Sequence, residues 1–451
     1  QEFFSAVTIR KFSALIDQRR RDRKSGGGGS TRIEEEQRAE WGKQRMAFLQ
    51  REAQLPRNLT PARGLEYVAP TEVKTAFLTG ATGFLGGYIV GEVLRNTDVE
   101  LHCLVRPKRG DDCAKTRIEN QLRYYEIWGE DDAWLEAWNE RVKVVEGDVA
   151  LPRMGIADER YSWLANEVDT IIHSASQVNF IYPYEALSAT NVRGVQEVIR
   201  FAFLSRIKPV HFLSTAAVWP MGADHTYLET DTIDHGQQLR LGYYEAKWVG
   251  EKCLLNAADR GLPVARYRPG EIGGDSVTGR CVLEHFMIAL TKGFLQFGAF
   301  PTIDSILDVA PADYVAQALV HLVFRGNSIG RSFHLTNPRS CHMSEALVFL
   351  RSLGFRFEEL PFEKLRDQLV CQSDFSSNAL FPFQATLEDM VERHLQLPNY
   401  DCRQTLRELE GSGIVCPPLD DTLFGKYISY LRNIGYLPEP TGHAVGVLAG
   451  S

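Results

Sequence analysis

A tyrosine and a lysine four residues apart, Tyr243 and Lys247, form a pair whose spacing could serve proton transfer. On a helix, residues at i and i+4 share one face, so the two side chains would be neighbours. A tyrosine with an ordinary pKa of about 10 exchanges protons poorly at neutral pH. A neighbouring ammonium group favours the phenolate and lowers that pKa. The pair therefore predicts a tyrosine acid–base group that is tuned by a lysine.

Two hydroxyl residues, Ser214 and Thr215, stand earlier in the chain, directly after the apolar run 210–213. In an open parallel sheet, ligands bind beyond the carboxyl ends of the strands, so Thr215 would face the same crevice as Tyr243. A hydroxyl there can stabilise negative charge that develops on a carbonyl oxygen. The alternative is that these hydroxyls only cap a turn, and for Ser214 we favour this alternative.

A glycine-rich stretch, TGATGFLG at 79–86, follows the first predicted strand and opens the first predicted helix of the main body. Gly80 permits a tight turn, Gly83 allows the backbone to approach a pyrophosphate, and Gly86 allows the helix to pack close to the sheet. The helix N-terminus would stabilise the negative charge. The alternative is a purely structural turn. The candidate phosphate-binding residues are Gly80, Thr82, Gly83, Phe84, Leu85 and Gly86.

The end of the second predicted strand indicates which dinucleotide binds. A carboxylate there would bind the adenosine ribose, whereas an arginine would pair with a 2′-phosphate. The sequence has Arg106 and no carboxylate before Asp111, which predicts NADPH; the alternative for Arg106 is a solvated surface position. Arg117 on the next predicted helix is a second candidate. Asp148 and Val149, after the third strand, are placed to hold adenine, although Asp148 could equally cap a helix.

Short apolar runs alternate with helical stretches from residue 74 onward. The predicted strands are 75–79, 99–105, 141–145, 168–173, 210–213 and 264–267. The predicted helices between them include 84–94, 191–203 and 243–256. Buried β-branched runs separated by helices specify a parallel sheet covered on both faces. The predicted fold is a doubly wound α/β domain of the Rossmann type, followed by a smaller, mostly helical C-terminal lobe.

The composition is that of an ordinary globular protein. The chain has 451 residues and a formal charge of −8, and its 44% apolar and 24% charged residues exclude a disordered or fibrous chain. No apolar run approaches the ~18 residues that cross a bilayer, and the N-terminus lacks the apolar core of a signal peptide. The acidic balance argues against nucleic acid as the main partner. Eight cysteines without a CxxC pair predict reduced core thiols in a cytoplasmic protein without a metal site.

The motifs, taken in order, resemble the extended short-chain dehydrogenase/reductase superfamily. More narrowly, they are similar to the thioester reductase domains that end some nonribosomal peptide synthetases, carboxylic acid reductases and aminoadipate reductases. The motifs are TGATGFLGG (79–87), CLVR (103–106), GDV (147–149), HSASQVNF (173–180), NVRG (191–194), LSTAAVW (213–219), YYEAKWVGE (243–251), RPGEIGGDSVTG (268–279) and DVAPADYVAQA (308–318). The resemblance spans residues 70–438.

The resemblance implies a catalytic triad of Thr215, Tyr243 and Lys247. Hydride would pass from NADPH to a thioester carbonyl while Thr215 and Tyr243 hold the oxyanion and Tyr243 supplies the proton. Lys247 would also bind the nicotinamide ribose. The hemithioacetal would then collapse to an aldehyde and a carrier thiol. The resemblance implies these further cofactor contacts: His173, Ala175, Val178, Pro269, Gly270 and Ile272.

The N-terminal residues differ from the rest. Residues 1–16 have an amphipathic helical pattern that resembles the last helix of a phosphopantetheinyl carrier domain, and a Gly/Ser stretch follows at 25–30. The expected division is a helix remnant with its linker (1–30), a helical lead-in (31–70), an NADPH-binding domain (71–279, with 305–339 returning to it), a substrate and carrier-docking lobe (280–304 and 340–438) and a disordered tail (439–451). A carrier domain bearing the acyl group is the expected partner, and the chain itself is expected to be a monomer.

Trp219 departs from the family pattern, because many relatives have Tyr there, and the resemblance puts this aromatic near the substrate channel. The lobe aromatics Phe286, Phe294, Phe297, Phe381 and Phe383 are expected to be core rather than pocket. A fatty acyl-CoA reductase, a non-reducing cyclising release domain and a non-catalytic NADP(H) sensor are the alternative functions. The complete triad favours the reductive enzyme over the last two, and the carrier-like helix favours it over the first.

Overall fold

The computed structural model describes residues 30–61, 66–107, 113–220, 225–236, 239, 241–302, 305–371, 375–383 and 398–440. The chain divides into two compact units at Phe48 and Leu49, and helix α1 (Ser30–Glu52) includes the boundary. All other described elements belong to the second unit. The expected carrier-like helix and most of the expected tail lie outside the described residues.

The strands are short and apolar. The main sheet contains β1 (Thr75–Thr79), β2 (Glu100–Val105), β3 (Val142–Glu146), β4 (Thr170–His173), β5 (Val210–Leu213), β7 (Val264–Pro269) and β12 (Ser332–Leu335). The remaining strands form two-stranded pairs: β6 (Thr226–Tyr227), β8 (Glu271–Ile272), β9 (Ala299–Pro301), β10 (Ile306–Leu307), β11 (Val309–Ala310), β13 (Cys341–His342), β14 (Glu358–Leu360) and β15 (Asn399–Tyr400).

The helices fill most of the intervals between the strands. The helices between β1 and β7 are α2 (Phe84–Asn96), α3 (Ala114–Tyr124), α4 (Asp132–Arg141), α5 (Asp158–Glu167), α6 (Tyr184–Ser188), α7 (Gly194–Ala202) and α8 (Gly242–Ala258). The later ones are α9 (Phe286–Phe297), α10 (Ala312–Phe324), α11 (Met343–Ser352), α12 (Phe362–Cys371), α13 (Arg403–Glu408) and α14 (Asp421–Asn433).

The seven-stranded sheet has the order β12-β7-β5-β4-β1-β2-β3, and every neighbouring pair is parallel. The chain runs outward from the central β1 to β3, crosses over to β4 and then runs outward in the other direction. This order is that of a doubly wound sheet, with its topological switch point between β1 and β4. The predicted fold class is confirmed.

Both faces of the sheet are covered, as alternation along β1 shows. Ala76 and Leu78 belong to one core cluster with residues of α2 and α10, whereas Phe77 between them contacts Phe201 of α7, with ring centroids 5.3 Å apart. Successive strand residues point to opposite faces, so each face requires its own apolar partner. Helices therefore pack on both sides of β1.

The predicted element bounds shift where side chains satisfy backbone groups. Strand β3 begins at Val142 because Arg141 closes α4, and its guanidinium donates to Leu94 O at 2.7 Å. Strand β4 begins at Thr170, since the Asp169 carboxylate accepts from the backbone N–H groups of residues 74 and 75 at 2.9 Å. The predicted helix 191–203 begins as a π-helix over Ala189–Arg193 and continues as α7.

The C-terminal lobe is mainly helical, with the short parallel pair β9–β14 between its helices. Phe286 and Phe294 are buried as expected, but Phe381 is 44% exposed. Among the cysteines whose burial the structure describes, Cys113 is exposed and the others are buried: Cys103, Cys253, Cys281, Cys341, Cys402 and Cys416. Within the described residues, no helix combines the length and the apolar character needed to span a membrane.

Candidate active site

The glycine-rich turn joins β1 to α2 in a conformation that needs glycine. Gly80 has φ +83°, and a Cβ there would lie 2.8 Å from the backbone N of Ala175. A Cβ on Gly86 would lie 1.9 Å from the carbonyl oxygen of Gly80. No side chain of a described residue caps the N-terminus of α2, which begins after Gly83. An uncapped helix N-terminus behind a glycine turn fits a pyrophosphate.

The other predicted residues of the turn are divided between surface and core. Thr82 and Phe84 are half-buried and Gly83 is exposed. Leu85 is 7% exposed and its side chain packs into the core cluster, so only its backbone is available to contact a phosphate.

The two predicted 2′-phosphate contacts lie beside each other. Arg106 follows β2 and is exposed, and Arg117 of α3 donates through Nη1 to the Arg106 carbonyl oxygen at 2.5 Å. The fold therefore brings two guanidinium-bearing residues to the carboxyl end of β2.

The residues after β3 form a compact turn. Asp148 accepts through Oδ1 from the backbone N–H of Ala150 at 2.9 Å, so its side chain caps a turn rather than the helix that was the alternative from the sequence. Val149 is buried, and a Cβ on Gly194 would lie 3.1 Å from its Cγ2 atom. The adenine contact of these residues stays a prediction.

Tyr243 lies in the first turn of α8 and is 8% exposed. The Phe180 ring packs edge-on against its ring, with centroids 5.5 Å apart. Burial raises the pKa of Tyr243 and the Glu271 carboxylate raises it further, while a hydrogen bond with Ser176 opposes them. The net direction is opposite to the one expected from the Tyr–Lys spacing.

Lys247 lies one turn later and explains that difference. Its Nζ donates to the Leu213 carbonyl oxygen at 2.7 Å and lies 4.4 Å from the centroid of the Phe212 ring. Burial lowers the pKa of Lys247 to about 7, and the Glu251 carboxylate opposes this shift. The ammonium is thus directed at the end of β5 rather than at the phenol.

Thr215 is the N-cap of the short 3₁₀ helix Ala216–Val218 and accepts through Oγ1 from the backbone N–H of Ala217 at 3.2 Å. This contact is the turn cap considered from the sequence. It uses an oxygen lone pair, so the hydroxyl hydrogen of Thr215 is not used by it. Ser214 does not cap the turn: it donates to Glu251 Oε2 at 2.6 Å inside the core.

His173 and Ala175 meet at the end of β1. Thr79 Oγ1 accepts from the backbone N–H of Ala175 at 3.1 Å and lies 2.7 Å from His173 Nδ1. Burial, and then the charge of Lys247, lower the pKa of His173 to about 3, so its imidazole is neutral. These contacts join β4 to β1. Val178 is 58% exposed on the loop that follows.

Of the predicted residues at the end of β7, Pro269 closes that strand, Gly270 lies between β7 and β8, and Ile272 ends β8. A Cβ on Gly270 would lie 2.9 Å from Asp308 Oδ2, so a larger residue here would have to displace the Asp308 carboxylate. Pro269 is buried and Ile272 is half-buried.

Trp219 is fully buried rather than bordering an open channel. Its ring stacks on Tyr227 with centroids 4.4 Å apart, and the Arg268 guanidinium carbon lies 5.1 Å from its centroid. Any effect of Trp219 on the acyl group therefore has to pass through the residues packed around it.

The model of an NAD-binding family described as male sterility protein matches residues 78–319, more than half of the chain. The chain belongs to the male sterility family. This match covers the glycine turn, the hydroxyl-bearing end of β5 and the Tyr–Lys helix.

Relatives of this male sterility family member are synthetases and reductases. The chain is 33% identical over 374 residues to a linear gramicidin synthase of Brevibacillus parabrevis, covering 82% of this chain and 7% of that protein. It is 28% identical to the L-2-aminoadipate reductase of Schizosaccharomyces pombe, covering 82% of this chain and 27% of the relative. The chain thus spans about a quarter or less of these relatives.

Solved structures match over nearly their full length. The terminal R domain from the myxalamid PKS-NRPS pathway superposes with a TM-score of 0.81 at 34% identity, covering 88% of this chain and 99% of that one. The reductase domain of a Mycobacterium tuberculosis nonribosomal peptide synthetase gives 0.66 at 25% identity, covering 86% and 98%. The male sterility family member is thus a reductase domain, an oxidoreductase with a nicotinamide cofactor.

Sequence reasoning missed two carboxylates near the site. Asp308 accepts through Oδ1 from the backbone N–H of Asn337 at 2.7 Å, and burial raises its pKa to about 7. Glu271 Oε2 lies 3.2 Å from His285 Nε2, and its charge acts on Tyr243. Both residues lie within motifs that resemble the family, but no periodicity distinguishes them, because their roles depend on strand β8 pairing with β11.

Proposed function

We propose that this chain catalyses NADPH-dependent reductive release of an acyl or peptidyl thioester, tethered to a phosphopantetheinyl carrier domain, as an aldehyde. The observation that supports this most is the arrangement at the end of β5. Leu213, next to the Ser214–Thr215 pair, is held by Lys247, and Tyr243 stands one turn before Lys247 on α8.

Each residue of the triad has a role that its surroundings support. Tyr243 is a phenol with a raised pKa, so it stays protonated near neutral pH and can donate its proton to a carbonyl oxygen. Thr215 has a hydroxyl hydrogen that its turn contact does not use, and it can donate to the same oxygen. NADPH, when bound, supplies the hydride. Lys247, in its charged form, would bind the nicotinamide ribose.

The choice of NADPH rests on Arg106 and Arg117. A guanidinium group pairs with the 2′-phosphate of NADPH and has no such partner on NADH. The hydrogen bond from Arg117 to the Arg106 carbonyl orients the segment that bears both charges. We also propose the glycine turn, Asp148, Val149, His173, Ala175, Val178, Pro269, Gly270 and Ile272 as cofactor contacts, largely through backbone.

We propose that the domain division expected from the sequence holds, with 71–279 and 305–339 binding the cofactor and 280–304 and 340–438 shaping the acyl pocket and the carrier-docking face. Strand β12, within 305–339, completes the main sheet beside β7, which supports this assignment. A carrier domain is the proposed partner of a monomeric chain.

The experiment that tests this function follows NADPH oxidation with two forms of one acyl group, on a phosphopantetheine-loaded carrier and on coenzyme A. We expect kcat/KM to be at least about tenfold higher with the carrier, because the carrier adds binding energy away from the reacting carbonyl. Mass spectrometry should detect one aldehyde per NADPH consumed, or the alcohol if a second NADPH is used. Equal rates with both donors would favour an acyl-CoA reductase, and a released product without NADPH oxidation would favour a cyclising domain.

A further inference from the structure

A buried ion pair, Glu251 with Arg268, lies one helical turn after Lys247 of the candidate triad, and the proposed chemistry does not use it. Glu251 of α8 is 0% exposed and Arg268 of β7 is 1% exposed, and Arg268 Nε donates to Glu251 Oε1 at 3.1 Å. A buried ion pair of this kind adds little to stability compared with apolar residues of the same size. Its place in the fold therefore invites a functional explanation.

Glu251 and Lys247 stand one turn apart on α8 and hold consecutive residues of the chain. Lys247 Nζ donates to the carbonyl oxygen of Leu213, and Glu251 Oε2 accepts from the hydroxyl of Ser214 at 2.6 Å. Thr215 is the next residue. One helix face thus fixes the segment that presents the Thr215 hydroxyl.

Arg268 is held on its other side by a neutral histidine. His334 Nδ1 lies 2.9 Å from the Asp401 carbonyl oxygen, so Nδ1 must donate and Nε2 is an acceptor. Arg268 Nη1 lies 3.5 Å from that Nε2 atom. Burial lowers the pKa of His334 to about 3, which keeps it neutral and able to accept. The guanidinium, which β7 carries, is therefore held by Glu251 of α8 and by His334 of β12.

The charged groups near Lys247 lie on its own helix, α8, and on β7. Burial acts to raise the pKa of Glu251, but the Arg268 guanidinium outweighs it and holds this pKa at about 2, so Glu251 is charged. Glu251 in turn opposes the loss of charge by Lys247. The other titratable groups near this cluster are the neutral His173 on β4, Arg266 on β7, the neutral His334 on β12 and Tyr243 on α8.

We propose that Glu251 is a positioning residue for the reaction: through its hydrogen bond with Ser214 it fixes the Thr215 turn, and its buried carboxylate, one turn from Lys247 on α8, is the counter-charge of the Lys247 ammonium. Arg268 keeps Glu251 ionised and oriented. This inference rests on the proposed function, because it assigns Glu251 to the triad of that function. Ser214, for which the sequence favoured a turn cap, would then transmit the position of Glu251 to the Thr215 turn.

The test separates the charge from the hydrogen bond. Glu251→Gln combined with Arg268→Met removes both charges and leaves no unpaired buried ion, and glutamine still accepts from Ser214. We expect thermal unfolding close to that of the wild type. We expect the decline of kcat above about pH 7, where Lys247 loses its proton, to move to lower pH by about one unit. A folded double variant with the wild-type pH profile would overturn the role of the charge.

Ser214→Ala tests the hydrogen bond and keeps both charges. We expect kcat to fall about tenfold or more, because a small displacement of the Thr215 hydroxyl misaligns it with the reacting oxygen. The pH profile should not move. Wild-type kcat in Ser214→Ala would overturn the positioning of Thr215. Asp234→Asn is the matched control, because it removes an exposed partner of Lys252 on the same helix and should leave kcat and the pH profile unchanged.

NADPH binding can be measured from the fluorescence of NADPH across the same pH range. This measurement distinguishes failure of this proposal from failure of the proposed function. A wild-type chain that binds NADPH but reduces no thioester would contradict the proposed function only. The pH at which NADPH affinity declines should still be lower in the double variant, and an unchanged value would contradict the role of Glu251.

Discussion

At the scale of single residues, the surroundings of Tyr243 favour its protonated form. Its phenol is buried, and both burial and the charge of Glu271 raise its pKa. A group with a raised pKa holds its proton at neutral pH and donates it only to a stronger base, such as the oxyanion that forms when hydride reaches a carbonyl. In the proposed function, Tyr243 would therefore be the proton donor to that oxyanion, which is the role that reduction requires.

Tyr243→Phe should lower kcat by about 10²–10⁴-fold, because it removes the proton donor and leaves the ring packed against Phe180. The affinity for NADPH should stay within about twofold, as measured by fluorescence titration. Tyr161→Phe is a suitable control: its hydroxyl is buried without a hydrogen-bond partner among the described residues, and it lies on α5. Turnover of Tyr243→Phe equal to that of the control would remove Tyr243 from the mechanism.

Arg106→Ala should weaken NADPH binding by about tenfold or more and change NADH binding little, since only NADPH has a 2′-phosphate for the guanidinium to bind. Dissociation constants for both cofactors measure this directly. Arg200→Ala, which removes an exposed arginine paired with Glu197, should leave both constants unchanged. If both cofactors lose affinity equally in Arg106→Ala, the arginine binds something other than the 2′-phosphate.

At the scale of elements, the site depends on how closely α8 approaches the π-helix Ala189–Arg193. A Cβ on Gly250 of α8 would lie 2.8 Å from the Asn191 carbonyl oxygen. Asn191 also binds both backbone groups of Gln177, at 2.8 and 3.0 Å, in the loop that carries Ser176. Close packing at this point thus joins α8 to the loop beside Tyr243.

Gly250→Ala should destabilise the fold by about 1–3 kcal/mol, although alanine is the better helix former, because the added methyl group pushes α8 away from the π-helix. Gly425 of α14 provides the matched comparison, since a Cβ there would lie 3.6 Å from Phe349 Cζ, an ordinary contact. Gly425→Ala should be neutral or stabilise by up to about 1 kcal/mol. Chemical denaturation of both variants measures the change in the free energy of unfolding. Equal changes in Gly250→Ala and Gly425→Ala would show that helix propensity, and not the close contact at Gly250, determines the effect.

The sequence predicts elements better than it predicts contacts between them. The bounds of β1 and β5 follow from local apolar runs, and the structure has them at the predicted residues. The i, i+4 spacing placed Tyr243 and Lys247 on one face but could not show what stands opposite. Leu213, the partner of Lys247, is 34 residues away, and the burial that raises the pKa of Tyr243 is a property of the whole packed core.

At the scale of the whole molecule, the residues proposed for chemistry come from segments far apart in the chain. The glycine turn follows β1, His173 ends β4, Thr215 follows β5 and Gly270 follows β7, and these strands are parallel. Parallel strands bring their carboxyl ends to one edge of the sheet, where a cofactor binds across the switch point.

The outermost strand has a consequence for where such a domain can be shortened. The family match ends at residue 319, but β12, at Ser332–Leu335, still pairs with β7, and Gln404 covers the far side of β12 by donating to the Ser332 carbonyl at 2.7 Å. A fragment cut at the end of the match would leave the backbone of β7 as a bare edge, open to pairing with other chains and hence to aggregation. A minimal version of this enzyme has to extend well beyond its family signature.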